Sequence, residues 1–222
     1  THFLFGTIHV DDNRVSNFHP RVYESIKSSN IFLIETDEIQ NYEILQNENL
    51  IYKKYFDENQ IDKIKDLAYF HTMSFERIML MKPWLLAVIF NSPRPITPFN
   101  QDNLLKTKAA DNLLIIQGLE SVNEHFSTLD SFSIEDQIKM LDLVLARSEN
   151  EKQIDYDLLV DAYLSNSPPL ILKTDQKVTK NIVSDSMWNH IESKLLIERN
   201  KLFFERILEV EKDNKLFIAV GA

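Results

Sequence analysis

His9, Glu35, Glu120, Arg199 and Asn200 are the residues whose types and surroundings could carry chemistry in this sequence. His9 follows the apolar run Leu4-Phe5-Gly6-Thr7-Ile8, Glu35 follows Ile31-Phe32-Leu33-Ile34, and Glu120 follows Leu113-Leu114-Ile115-Ile116-Gln117-Gly118-Leu119. One imidazole and two carboxylates make a partial ligand set for a hard or borderline metal ion, and equally a set for general acid–base work. Arg199 and Asn200 are adjacent in a long helical stretch. An arginine fork grips carboxylates and an amide meets a carbonyl, so the pair could hold the carboxylates or a substrate. Each residue also has a plain structural reading. His9 could simply close a strand with a local hydrogen bond, and Arg199-Asn200 could brace a helix against a sheet.

The elements that would position these residues are legible from the apolar pattern. Residues 3–9, 31–35, 113–117 and 215–220 are near-continuous apolar runs of strand length, as in strands covered on both faces. Between them lie helical stretches: a short one over Pro20–Ser28, several pieces over 40–92, Asn103–Ala110, a stretch from Ser121 to about Leu164, and one long helix within Ser184–Glu211. Ser133 with Glu135 and Asp136 reads as a helix start. Ser92–Pro98, with three prolines, reads as a loop. Strands alternating with helices predict an α/β fold, helix-rich, with a central sheet of few short strands in one domain over residues 1–222. If the strands are parallel, His9 ends a central strand, and His9, Glu35 and Glu120 converge on the carboxyl edge of the sheet, where open α/β sheets bind ligands. In the long helix, Leu196, Phe203, Phe204 and Ile207 form an apolar stripe on which Asn200 falls, so its amide is expected to find a partner at a strand end or nearby backbone. Ser121 lacks a Gly-x-Ser-x-Gly elbow, which sets a serine hydrolase aside. His125 reads as a minor candidate, a little beyond Glu120 on a helix.

Composition excludes several classes. The formal net charge is −10 and no Lys/Arg cluster appears, which argues against nucleic acid. The longest apolar run, Trp84–Phe90, is too short for a membrane span. There are no cysteines, so thiolate chemistry and disulfides are out. The chain opens at Thr1 inside a strand and stops just past another, which suggests a larger precursor. On that reading the protein is exported, to a periplasm or cell surface, after removal of a leader.

Taken together, several segments resemble the TraB/GumN family, which includes the Tiki metalloproteases and is related in fold to the erythromycin esterases. The matching residues are Leu4-Phe5-Gly6-Thr7-Ile8-His9-Val10, the Glu35 strand end, Lys82-Pro83-Trp84-Leu85-Leu86-Ala87, Gly118-Leu119-Glu120-Ser121, Gln137, Glu198-Arg199-Asn200 and Phe217-Ile218-Ala219-Val220-Gly221-Ala222. The resemblance implies an α/β core of two related halves, each giving a Gly-x-x-His motif to one site. Gly6-Thr7-Ile8-His9 matches the first motif; the second would start at Gly221-Ala222, with its histidine past the end of this sequence. His125 stands where the family usually has glutamine. Tiki-type members are divalent-metal-dependent peptidases, so the resemblance implies a metal-dependent hydrolase, most simply a peptidase, acting on a peptide or small molecule. His9 and Glu35 would be metal ligands, while Glu35, Glu120, Arg199 and Asn200 would serve the chemistry. The alternative is a non-catalytic protein that holds a peptide or small ligand in the same pocket.

Overall fold

Each apolar run is separated from the next by at least one helix, and such crossovers favour parallel pairing. The computed structural model describes residues 1–37, 39–47, 49–94 and 99–222. In it the runs become β1 (Phe3–Thr7), β2 (Ile31–Thr36), β3 (Ile115–Glu120) and β4 (Leu216–Gly221). They form one parallel sheet in the order β1-β4-β2-β3. The last strand therefore slots between the first and second, pairing Thr7 with Gly221 on one side and Ile34 with Ala219 on the other. The Ser92–Pro98 loop expected from its prolines falls largely outside the described residues.

Helices fill the connections in chain order. They are α1 (Pro20–Lys27), α2 (Glu58–Phe70), α3 (Phe75–Ile78), α4 (Pro83–Asn91), α5 (Gln101–Asp111), α6 (Val122–Asp130), α7 (Ile134–Ala146), α8 (Glu149–Leu164), α9 (Pro168–Thr179), α10 (Asp185–Ile191) and α11 (Arg199–Val210). A π-helical segment, Glu192–Glu198, joins the last two. Ser133 does cap α7, accepting the Asp136 N–H. No helix among the described residues is long and apolar enough to cross a membrane.

Side-chain alternation along each strand splits the core into layers. Phe32, Phe217 and Ala219 face α1 and α5, meeting Ile26, Leu105 and Ala109. Ile31, Leu33, Leu216 and Ile218 face the other way, with Phe203 of α11. Phe217 stacks between Phe5 and Phe32, at 6.4 and 5.7 Å between ring centroids. A separate helical core is built by α2, α4, α7 and α10 around Ile64, Leu86, Phe90, Leu141, Val144 and Trp188. The Lys82-Pro83-Trp84 segment belongs to that core. The Lys82 ammonium and the Trp84 indole N–H both reach Asp130, each at 2.8 Å, which ties the start of α4 to the end of α6.

Two sequence expectations need correction. The first strand lies at an edge of the sheet rather than in its centre, and Leu4 is exposed there. Its apolar run is continuous without being covered on both sides. The third strand runs over 115–120 instead of 113–117. The reason is the end of α5. Leu113 N–H donates to Ala110 and Leu114 N–H to Ala109, the paired bonds of a Schellman motif. Leu113 occupies the left-handed position of that motif with φ 60° and is 92% exposed. A leucine is poorly suited to that backbone, which a glycine adopts without penalty. Leu113→Gly is expected to raise stability by about 0.5–1 kcal/mol in urea unfolding; a loss of that size would contradict the strain.

Candidate active site

All four strands being parallel, their carboxyl ends share one edge of the sheet, and each delivers something to it. Thr7 ends β1, with His9 two residues on; Gly221 ends β4; Glu35 lies at the end of β2; Glu120 ends β3. Of the sequence-predicted residues, Glu35 and Glu120 meet there, and the residue that joins them is Arg199, first of α11. Its Nη2 donates to Glu35 Oε2 at 2.8 Å and to Glu120 Oε1 at 2.5 Å, and its Nε donates to the same Glu120 oxygen at 2.9 Å. The guanidinium lies over the Phe203 ring, 4.7 Å from its centroid, so a residue one turn on fixes its plane. Two carboxylates at adjacent strand ends would otherwise repel each other; one cation between them removes that cost.

Glu35 is further held by the backbone. Gly221 N–H donates to Glu35 Oε1 at 2.7 Å. A Cβ at residue 221 would stand 3.1 Å from that oxygen, so the bare backbone suits the contact. Gly118 serves the same edge by letting the segment after β2 close in: its N–H donates to Asp37 Oδ1 at 2.9 Å. A Cβ there would fall 2.6 Å from both Asp37 N and Oδ1.

Glu120 is only 4% exposed and lies against His125 of α6, whose Nδ1 is 2.7 Å from Glu120 Oε1. Burial alone would raise the carboxyl; hydrogen bonds from His125 and Arg199 overcome it and hold Glu120 below the ordinary range. Glu120 thus stays ionised at neutral pH. The surrounding carboxylates act in the opposite direction on Arg199, keeping it firmly cationic despite its burial. His125, a minor candidate in the sequence, is an integral member of this cluster. The available signal was its position five residues beyond Glu120, just inside the helix that Ser121 caps with a capping box.

Asn200 departs from expectation. It is exposed and makes no side-chain hydrogen bond among the described residues. Phe204, placed on the same stripe, is exposed as well, while Phe203 is buried. The packed face of α11 runs through Arg199, Phe203, Ile207 and Val210, so Phe203 and Ile207 of the expected stripe are packed while Asn200 and Phe204 fall on its solvent flank. Asn200 lies one residue, about 100° of turn, beyond Arg199, which places it at the border of that face rather than in it.

His9 stands apart from the Arg199 cluster, with its side chain 82% exposed. Its Nδ1 is 3.3 Å from Asp102 Oδ2, and Asn100 Nδ2 is 3.0 Å from Nδ1 and 2.9 Å from Nε2. The bond to Asp102 raises the His9 pKa above its ordinary value, outweighing partial burial, with the charges of Asp102 and Glu35 adding to the effect. Among the described residues no group of three His, Cys, Asp or Glu side chains is gathered closely enough to hold a metal ion. The chemistry of the donors present suits such an ion in part. His9 offers an imidazole open to solvent, but both Glu35 oxygens are engaged, by Arg199 and by Gly221.

Beside the cluster a cleft of about 490 Å³ runs between α6 and the π segment. Glu120 and Arg199 line it, as do Thr128, Leu195 and His190. It offers apolar floor, hydroxyls and charge to a ligand that would reach the carboxylates.

In a comparison with known families, the family model described as the TraB/PrgY/gumN family matches residues 1–222. Comparisons with curated proteins and with solved structures find no match.

Proposed function

This chain belongs to the TraB/PrgY/gumN family, and on that premise we propose that the carboxyl edge of its sheet is the site of a divalent-metal-dependent hydrolase, acting on peptides. The observation that carries the reading is the joining of Glu35 and Glu120 through Arg199 at one sheet edge, with His9 at the same edge. A divalent ion bound there would supply Lewis-acid polarisation of the scissile carbonyl. His9 and Glu35 are the residues of this chain that would hold it, with Glu35 giving up one of its present hydrogen bonds.

The chain's own groups account for the rest. Arg199 helps keep Glu120 ionised and aligns both carboxylates, and its charge would favour an oxyanion developing beside it. Glu120 is buried, ionised and lines the cleft, so it is placed to accept a proton from water attacking a carbonyl bound there. His125 holds the Glu120 carboxylate from the α6 side. Asn200, exposed on the outer side of α11, would act only on a substrate reaching past the helix start.

A second reading, a non-catalytic protein that binds a peptide or small ligand in the cleft, is favoured by one observation: the carboxylates are already neutralised by Arg199 and no three-donor group is assembled among the described residues. A peptide library, incubated with the purified protein in Zn²⁺, Mn²⁺ or Co²⁺ and then in excess chelator, separates the two. Cleavage that needs the metal and disappears in Glu120→Gln supports the hydrolase. Peptide retention without cleavage under every metal supports the binding protein.

A further inference from the structure

Three consecutive residues at the start of α5 are all spent on the exit of β1. Asn100 is the N-cap: its Oδ1 accepts the Asn103 N–H at 3.0 Å, which turns its amide nitrogen toward His9. That nitrogen stands 2.9–3.0 Å from both ring nitrogens. In the ring plane an atom so placed would overlap the carbon between them, so it lies over the ring face. Gln101 is buried and clamps the backbone on either side of His9. Its Oε1 accepts the Ile8 N–H at 2.9 Å and its Nε2 donates to the Val15 carbonyl at 2.7 Å. Tyr163 of α8 adds a hydroxyl 3.0 Å from the same Oε1 and 2.7 Å from the Gly6 carbonyl. Asp102 then meets the ring edge at Nδ1 with a carboxylate only 14% exposed. An ionised carboxylate can only accept, so the ring nitrogen facing it must carry the proton.

We propose that Asn100, Gln101 and Asp102 are positioning residues that hold His9 as its Nδ1–H tautomer, leaving Nε2 as its open donor atom. Gln101 sets where the backbone carries the ring, Asn100 packs its face, and Asp102 chooses the tautomer. The metal-binding part of this assignment rests on the proposed function; the tautomer does not. Capping α5 needs Asn100, and Asp102 suits its first turn, but neither requires the Gln101 side chain to clamp Ile8 and Val15 or the Asp102 carboxylate to face the His9 ring. A carboxylate behind a histidine is also how metal-binding imidazoles are commonly oriented, and its loss costs about 10–100-fold in affinity.

The test is long-range ¹⁵N–¹H correlation NMR on histidine-labelled protein at about pH 9, where the imidazole is neutral. His9 is expected as Nδ1–H in the native chain and shifted toward Nε2–H in Asp102→Ala. An Nε2–H tautomer in the native chain overturns the proposal without any variant being needed, and so does an unchanged tautomer in Asp102→Ala. Calorimetric titration with Zn²⁺ is the companion measurement, with the affinity expected to fall about 10–100-fold in Asp102→Ala. Equal affinity in the two proteins counts against the positioning role. The expected tautomers with no Zn²⁺ binding to the native chain would uphold the positioning of His9 while removing the metal from the proposed function.

Discussion

Replacing Arg199 with methionine is expected to cost about 3–5 kcal/mol of stability at pH 7, the penalty for leaving one side of a buried ion pair uncompensated. Methionine keeps the contact with Phe203 and removes only the charge and its donors. Glu120 would be left buried with His125 as its one partner, facing an unneutralised Glu35. The loss should depend on pH in a definite direction. In the native protein Glu120 is held below its unfolded pKa, so its contribution is fully present above the unfolded value, about 4.3, and vanishes as pH falls through the folded value. Arg199→Met removes a main cause of that depression. The two proteins should therefore differ most at neutral pH and converge in urea unfolding as acid protonates the carboxylates. A gap that stays constant down to about pH 3, below the ordinary carboxyl range, would mean that the arginine stabilises through packing alone. Arg199→Lys should recover part of the stability but none of the proposed hydrolysis, since a single ammonium does not reproduce a fork on two carboxylates. Full activity in Arg199→Lys would take Arg199 out of the chemistry.

Gly118→Ala is the second large effect expected. The added Cβ would lie 2.6 Å from the backbone nitrogen of Asp37, and backbone cannot swing aside as a flexible side chain can. The segment after β2 must move away from β3, at a cost of about 1–3 kcal/mol. Glu35 sits on the moving segment, so its contact with Arg199 should loosen too. The companion variant is Asp37→Ala in the Gly118→Ala background. It removes the Oδ1 clash and keeps the clash with the nitrogen, so it should recover little. A double variant as stable as the native protein would place the crowding in the Asp37 side chain instead.

Much of this arrangement was legible in the residues, and the limits have physical causes. Four apolar runs separated by helical stretches give the parallel sheet, and the polar residues that follow them give the edge where Glu35 and Glu120 meet, with His9 standing apart at the exit of β1. Sheet order was not legible. Nothing in a strand's own sequence says that the last one will insert between the first and second, so the edge position of β1 came from long-range pairing. The end of α5 was misjudged because a leucine fills a place where glycine is the usual marker. Arg199 was found but its neighbour was misplaced, because the apolar residues of α11 spread widely enough around the helix to include Asn200, while only the part through Phe203 and Ile207 packs. The role of His125 is a tertiary one: a histidine on a helix gives no sign of its partner until that helix is laid against β3.

The π segment before Arg199 also bears on how chains of this kind are compared. Its wide turns carry more residues than an α-helix of the same rise, so a relative lacking one residue between Ile191 and Arg199 could tighten the coil and still present its arginine to the same two carboxylates. A one-residue gap belongs inside that coil, between the tryptophan that anchors α10 and the arginine that opens α11. Placed anywhere later, it would shift Phe203 out from under the guanidinium and align the wrong residue with the cation.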